Sequence, residues 1–164
     1  MSMSLNDILL KMIRRIDLFE TVPDNELIEL AQNFNLKFYQ AWTPIIKEGT
    51  LAWKIYVLHS WLLEARKSGK VLGEINPGEI FWEMSFLKWT NAFASVIASQ
   101  DCDVWEILND DFNSFLKSYP EVMDKVYEKM REREYKNENN NMHLKTVYTD
   151  HENDDDLKDF KLNI

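Results

Sequence analysis

Apolar positions with helical and strand spacing divide the chain into three parts. In the first part, apolar residues recur at intervals of three and four, at Leu5, Ile8, Leu9, Met12, Ile13 and Ile16. This spacing predicts an amphipathic helix with one buried stripe. A second helix is predicted to begin at Pro23, because Asp24 and Glu26 suit the positive end of a helix dipole. Its buried face consists of Leu27, Leu30, Ala31 and Phe34.

Residues 35–108 have the pattern of short strands. β-Branched and aromatic residues cluster in the segments "LKFYQAW", "PIIKEG", "KIYVLHSW", "LLEARK", "KVLGEI", "FASVIAS" and "DVWEIL", with Gly, Pro, Asn and Ser between them. Evenly spaced short strands of this kind are typical of an antiparallel sandwich or barrel. Ser68 and Gly69 are predicted to form the tip of a hairpin.

Helical spacing returns at Asn109, which is predicted to cap a helix over "DDFNSFLKSY". Ser118 and Glu121 have the spacing of a capping box, so a last helix is expected from about Pro120 to Lys136. The order of helices, strands and helices predicts an α+β domain, an antiparallel β-roll (jelly roll) flanked by N-terminal and C-terminal helices.

The domain boundary is predicted near Asn137, with a first domain at 1–137 and an acidic, Asn-rich tail at 138–164. The tail holds 7 acidic and 3 basic residues and little to bury, so it is expected to be disordered by itself. Two interpretations of its end remain open, a solvated tail or a helix that docks on a partner through Leu157, Phe160 and Ile164.

Composition narrows the class of protein. The net charge of −9 argues against a protein that binds nucleic acid or inserts into an anionic membrane. Cys102 is the one cysteine, and the N-terminal apolar runs are too short for a secretory signal or a membrane span. These features predict a cytoplasmic protein.

Four segments in order resemble the cyclic-nucleotide-binding domain, the module of the catabolite activator protein and of protein kinase A regulatory subunits. They are "IDLFETVPDNELIELA", "IIKEGTLAWKIYVLHSW", "LGEINPGEIFWEMSFL" and "AFASVIA". The resemblance implies a pocket for a cyclic nucleotide. In the family, backbone N–H groups and an arginine hold the phosphate, and a glutamate accepts from the ribose hydroxyl.

Carried over residue by residue, the resemblance implies a degenerate pocket. Glu83 matches the ribose glutamate, but Trp82 stands at the phosphate-loop glycine, Ala92 at the phosphate-binding arginine and Trp61 at a further glycine. Losing the arginine costs on the order of 2–5 kcal/mol of binding. The candidate pocket residues are Gly78, Phe81, Trp82, Glu83, Met84, Ser85, Ala92, Phe93, Ala94 and Ser95.

Glu83 and four tryptophans each allow two interpretations. Glu83 either contacts a ribose or caps its own helix. For Trp53, Trp61, Trp82 and Trp89 the alternatives are a ligand pocket, or packing that fills the void of a lost ligand or covers a partner-facing patch. The three histidines do not cluster, and no metal spacing, catalytic triad, phosphate loop or helix-turn-helix is present in the sequence. An enzyme is therefore not expected.

The sequence favours a stand-alone domain with a non-functional cAMP or cGMP site that works as a protein-interaction or assembly module, without a cofactor. The alternative is a small-molecule sensor that binds a cyclic nucleotide or another ligand in a non-standard way. The last helix carries a stripe formed by Val122, Val126 and Met130, and two interpretations of it remain open: a homodimer seam, or docking of the helix on its own roll.

Overall fold

The computed structural model describes residues 3–51, 53–81 and 91–152, and for residues 137 and 140–152 it describes the backbone alone. Its helices are α1 (Leu5–Ile13), a short 3-10 helix (Asp17–Phe19), α2 (Asp24–Gln32), α3 (Asn109–Ser118) and α4 (Pro120–Glu152). Its strands are β1 (Asn35–Tyr39), β2 (Pro44–Ile46), β3 (Lys54–Leu58), β4 (Leu63–Lys67), β5 (Lys70–Ile75), β6 (Ile80–Phe81), β7 (Ser95–Ala98) and β8 (Cys102–Leu108).

Side-chain hydrogen bonds to backbone groups cap α1 and join it to α2. Ser4 caps α1 with a reciprocal pair of hydrogen bonds to Asp7. The Ser4 hydroxyl, at 2.7 Å, and the Ser4 N–H, at 3.1 Å, both donate to the Asp7 carboxylate and lower the pKa of this group. The Arg14 guanidinium donates to the carbonyls of Phe19 and Val22, at 2.7 Å each, and pairs with Asp24. Arg14 therefore fixes the start of α2 against the end of α1.

The strands form two four-stranded antiparallel sheets. The first sheet has the order β1-β8-β3-β6 and the second the order β2-β7-β4-β5. This arrangement with flanking helices confirms the predicted β-roll. The hairpin tip is also confirmed: Lys67 pairs with Lys70, and Ser68 and Gly69 have φ of 49° and 80°. Two positive φ values fit the twist of a two-residue hairpin.

Two apolar cores lie on opposite faces of the first sheet. Along β3, Ile55 and Val57 pack with the helices, whereas Tyr56 and Leu58 point into the interior of the roll. This alternation is the period of a strand that is covered on both faces. The helix-side core includes Ile13, Phe19, Leu27, Phe112, Val122 and Val126, and the roll interior includes Ile46, Leu63, Phe81, Ala92, Val96 and Val104.

Two details of the helices differ from the sequence predictions. α3 begins at Asn109 itself and Leu108 takes the cap position, because the Asn109 N–H donates to the Trp53 carbonyl at 3.0 Å. α4 extends to Glu152, beyond the predicted end at about Lys136. No glycine or proline follows Pro120, so no residue of the strongest helix-breaking types interrupts it.

The chain divides into two compact units, Met1–Met130 and Arg131–Ile164. The predicted boundary near Asn137 and the disorder of the tail stay predictions. Leu157, Phe160 and Ile164 lie outside the described residues. Among the described helices, none combines the length and the apolar content needed to cross a lipid bilayer.

The apolar stripe on α4, one of whose two interpretations is a dimer seam, docks on its own domain. Val122, Val126 and Met130 are only 0%, 1% and 5% exposed, and the first two belong to the core between the helices and the first sheet. Their four-residue spacing reflects docking of α4 on its own domain, so these side chains are not available to a second copy.

Candidate functional site

The candidate pocket lies where β6 leads out of the first sheet and β7 enters the second. Phe81 ends β6, and the described chain resumes at Asn91, just before β7. Gly78, Phe81 and residues 92–95 of the predicted pocket are therefore described. Trp82, Glu83, Met84 and Ser85 lie outside the described residues, as do Lys88 and Trp89.

Gly78 holds a turn against the helices. Its φ is 86°, and its N–H donates to the Leu58 carbonyl at 2.8 Å. A Cβ at this position would lie 3.0 Å from the backbone oxygen of Arg15. Both the left-handed backbone and the close approach require glycine, so the retention of glycine here is explained by packing.

Phe81 anchors the beginning of the pocket segment inside the roll. It is buried, and its ring stacks on Tyr56 with centroids 5.2 Å apart and an angle of 17° between the planes. Burial, followed by the negative charge of Glu106, raises the pKa of the Tyr56 hydroxyl to about 12. The neutral phenol is therefore kept at physiological pH.

Ala92 occupies an interior position that the backbone fixes. Its carbonyl accepts from the Gly49 N–H and its N–H donates to the Thr50 carbonyl, both at 2.8 Å. It is only 4% exposed and belongs to the apolar cluster of the roll. A long side chain at this position would enter the interior, where the resemblance puts the phosphate-binding arginine.

The neighbouring residues use their polar groups within the domain. The Ser95 hydroxyl accepts a hydrogen bond from the Glu48 N–H at 2.9 Å. The Lys67 ammonium lies 3.6 Å from the centre of the Phe93 ring, a cation–π contact with the residue that follows Ala92 in the chain. Ala94 is buried. Lys67 was not among the candidate site residues, because it comes from β4, far from Phe93 in the sequence.

A charged cluster around Glu106 lies inside the roll, and it is not among the sequence predictions. Glu106 is 4% exposed, accepts a hydrogen bond from the Tyr39 hydroxyl, and lies 2.6 Å from the Lys54 ammonium and 3.9 Å from that of Lys37. Burial and Glu106 raise the pKa of Tyr39. The signal was present in "CDVWEIL", where the alternation that buries Cys102 and Val104 also turns Glu106 inward.

The two described tryptophans of the predicted aromatic group are surface residues. Trp53 and Trp61 are each 59% exposed, so neither fills the interior of the roll. Trp61 has a φ of 70°. A left-handed backbone is what a family glycine at this turn would accommodate without strain, which supports the alignment of Trp61 with a glycine.

The described part of the chain contains no group of three or more His, Cys, Asp or Glu side chains that could hold a metal ion. Burial, with Asp103 and Asp101 nearby, raises the pKa of the Cys102 thiol, so this cysteine is a poor nucleophile. A shallow depression of about 510 Å³ lies beside α1, lined by Met3, Asp7, Leu10, Lys11, Arg14 and Arg15.

The family model for the cyclic nucleotide-binding domain matches residues 36–119, just over half of this chain. The chain is 25% identical over 118 residues to the potassium/sodium hyperpolarization-activated cyclic nucleotide-gated channel 2 of Mus musculus. This match covers 72% of the chain and 14% of the channel. Channel 1 of Oryctolagus cuniculus is 27% identical over 119 residues, with 72% and 13% covered. The chain thus spans about a seventh of the length of these relatives.

Solved structures share the fold. The regulatory subunit of a cAMP-independent protein kinase A from Trypanosoma brucei has a TM-score of 0.70 at 16% identity, with 77% of this chain and 46% of that one covered. A triple mutant of that subunit, bound to cAMP in its A site, has a TM-score of 0.66 at 17% identity, covering 78% and 51%. The catabolite activator protein of Thermus thermophilus has a TM-score of 0.64 at 22% identity, covering 80% and 62%.

Proposed function

The chain belongs to the cyclic nucleotide-binding domain family, and we propose that it is a member whose cAMP or cGMP site no longer functions. It acts as a protein-interaction or regulatory module in the cytoplasm and is not an enzyme. The observation that carries the proposal is Ala92. An alanine, 4% exposed and hydrogen-bonded through its backbone to Gly49 and Thr50, stands where the family places the arginine that binds the phosphate.

The charges around the roll interior support the same function. A cyclic phosphate needs a cation that is free to approach it. Lys54 and Lys37 lie beside the Glu106 carboxylate, at 2.6 and 3.9 Å, and the Lys67 ammonium lies over the Phe93 ring. The interior is therefore poorly suited to a cyclic nucleotide.

The Trypanosoma brucei relative offers a parallel. It is the regulatory subunit of a cAMP-independent protein kinase A, and the triple mutant that is bound to cAMP carries a substitution of threonine by arginine. The fold therefore also serves in a regulatory subunit of a cAMP-independent kinase. We infer that the present chain likewise works through a protein partner, without a nucleotide.

One observation favours a second function, a sensor that binds a cyclic nucleotide or another anionic ligand in a non-standard way. The Lys67 ammonium lies 3.6 Å from the ring centre of Phe93, the residue that follows the position of the missing arginine in the chain. Lys67 would then bind the anionic group of the ligand in place of the arginine.

Titration of the purified chain with cAMP and cGMP to millimolar concentrations distinguishes the two functions. Tryptophan fluorescence and calorimetry are followed together, because six tryptophans offer a strong signal. The proposed function predicts no saturable binding. Saturable micromolar binding would overturn it. If that binding is then lost in Lys67→Met, the sensor is supported, and Lys70→Met at the same hairpin is the matched control.

A further inference from the structure

Three segments meet at the end of the roll where β3 and β7 finish: the loops at 40–43 and 59–62, and residues 99–103, which comprise the loop after β7 and the first two residues of β8. The Ala41 N–H donates to the Asp101 carboxylate and the Trp42 N–H to the Ala98 carbonyl, each at 2.8 Å. The His59 N–H donates to the Asp103 carbonyl at 3.1 Å. These bonds hold the loops together as one surface, here called the tryptophan end.

The tryptophan end displays two indoles from strained backbone positions. Trp42 and Trp61 have φ of 64° and 70°, and they are 61% and 59% exposed. A left-handed backbone disfavours any residue with a Cβ, and burial does not account for two largely exposed indoles. Strain of this kind persists where the residue has a role beyond folding. Tryptophan is also among the side chains most often found at the centres of protein interfaces.

The charge of the tryptophan end indicates the kind of partner. Its three segments contain Asp101 and Asp103 and no lysine or arginine. Arg66 of β4 lies with its guanidinium carbon 5.8 Å from the centre of the Trp42 ring and pairs with Glu64 at 2.7 Å. The ring of Trp42 therefore already receives a guanidinium within this molecule.

We propose that the tryptophan end binds a cationic segment of a partner protein, an extended stretch that carries arginine or lysine. The segment's cations lie over the rings of Trp42 and Trp61, and Asp101 and Asp103 supply the complementary charge. This inference rests on the proposed function as a protein-interaction module, and it names the surface and the chemistry of the partner.

The test uses tetra-arginine amide as the probe, with tetraglutamate and tetraproline peptides of the same length for comparison. The indole N–H signals are followed by NMR in the full chain and are assigned from single Trp→Phe variants. Saturable shifts of the Trp42 and Trp61 signals by tetra-arginine alone are expected. Trp53, equally exposed at the other end of β3, is expected to stay unshifted.

The double variant Trp42→Gly/Trp61→Gly keeps the backbone that these turns need, because glycine accepts a positive φ. It is expected to fold and to bind tetra-arginine with an affinity at least about tenfold lower. Trp53→Ala is the matched control and should bind as the unaltered chain does. Asp101→Asn, which keeps the oxygen that accepts from Ala41, should weaken binding and reduce its dependence on salt.

Three results would overturn the inference: unchanged affinity in the folded double variant, equal shifts at Trp53, or no binding of tetra-arginine at all. Preferential binding of tetraproline would replace the cationic partner with a proline-rich one. None of these results bears on the loss of nucleotide recognition, which the titration with cAMP and cGMP decides separately.

Discussion

The Lys54 ammonium lies 2.6 Å from the carboxylate of Glu106, which is buried on the inner face of the roll. The Tyr39 hydroxyl also donates to this carboxylate, and Lys37 lies 3.9 Å away. A buried negative charge is tolerated only when it is paired and hydrogen-bonded. These partners come from β1 and β3, so the cluster joins three strands of the first sheet.

Removing the nearest cation should therefore destabilise the domain. Lys54→Met leaves Glu106 buried with weaker compensation, and we expect a loss of about 1–3 kcal/mol in the free energy of unfolding, measured with urea. The matched control is Lys129→Met, which breaks the Lys129–Asp17 pair, 3.2 Å long and largely exposed. That change should cost less than about 1 kcal/mol. Equal losses would show that Glu106 does not depend on Lys54.

Gly78→Ala should destabilise the turn that leads into β6. The new methyl group would lie 3.0 Å from the Arg15 oxygen in a backbone with a φ of 86°, so we expect a loss of about 1–3 kcal/mol by urea unfolding. Gly73→Ala is the control, because a Cβ there meets nothing within 4 Å and its φ is not in the positive range. It should be neutral or slightly stabilising. Similar losses at both positions would contradict the close contact with Arg15.

Stability should fall in alkaline solution through Tyr56. Its pKa is raised from the ordinary 10.0 to about 12, so the unfolded chain releases this proton first. The contribution of the neutral phenol is fully present below pH 10 and is lost as the pH rises to about 12, by up to about 2 kcal/mol. Urea unfolding at a series of pH values measures it. Tyr56→Phe should flatten this part of the profile, and an unchanged slope in that variant would assign the loss to other groups.

Ala92→Arg together with Trp82→Gly should create binding of a cyclic nucleotide. The arginine would enter an interior that is apolar apart from the Glu106 cluster, so the double variant alone is expected to be less stable by about 2 kcal/mol or more. An anionic ligand would pair with it, and cAMP should therefore raise the melting temperature of the variant and leave the unaltered chain unchanged. Ala92→Met with Trp82→Gly is the uncharged control. A folded double variant with no response to cAMP would contradict the assignment of these two positions.

Local patterns predicted much of the fold. The helix that follows Pro23 and the Ser68–Gly69 hairpin lie where the spacing indicated. The first helix also begins at Leu5, but it ends at Ile13, and Leu5 and Ile8 of its predicted buried stripe are 70% and 51% exposed. Local patterns were less reliable at the ends of elements. Local spacing predicts Asn109 as the cap, whereas the helix begins at Asn109 and its N–H donates to the Trp53 carbonyl. The pairing of β3 with β8 brings these two groups together.

The apolar stripe on α4 shows what local spacing leaves open. The spacing of Val122, Val126 and Met130 identifies an apolar face of a helix, and that face is buried. Spacing within one helix does not say whether the covering surface belongs to the same domain or to a second copy. Here Val122 and Val126 pack in the core that includes Ile55 and Ile107 of the first sheet.

The sequence by itself determined the order and type of the elements, because helical and strand periods arise between residues a few positions apart. It also determined that alanine stands at the arginine position of the resembled pocket. Tertiary structure alone decided which side chains share the interior of the roll. Glu106 meets Tyr39 and Lys54 from 67 and 52 positions away, and Lys67 meets Phe93 from another strand. Such contacts depend on which strands pair and in which register, and no local pattern carries that information.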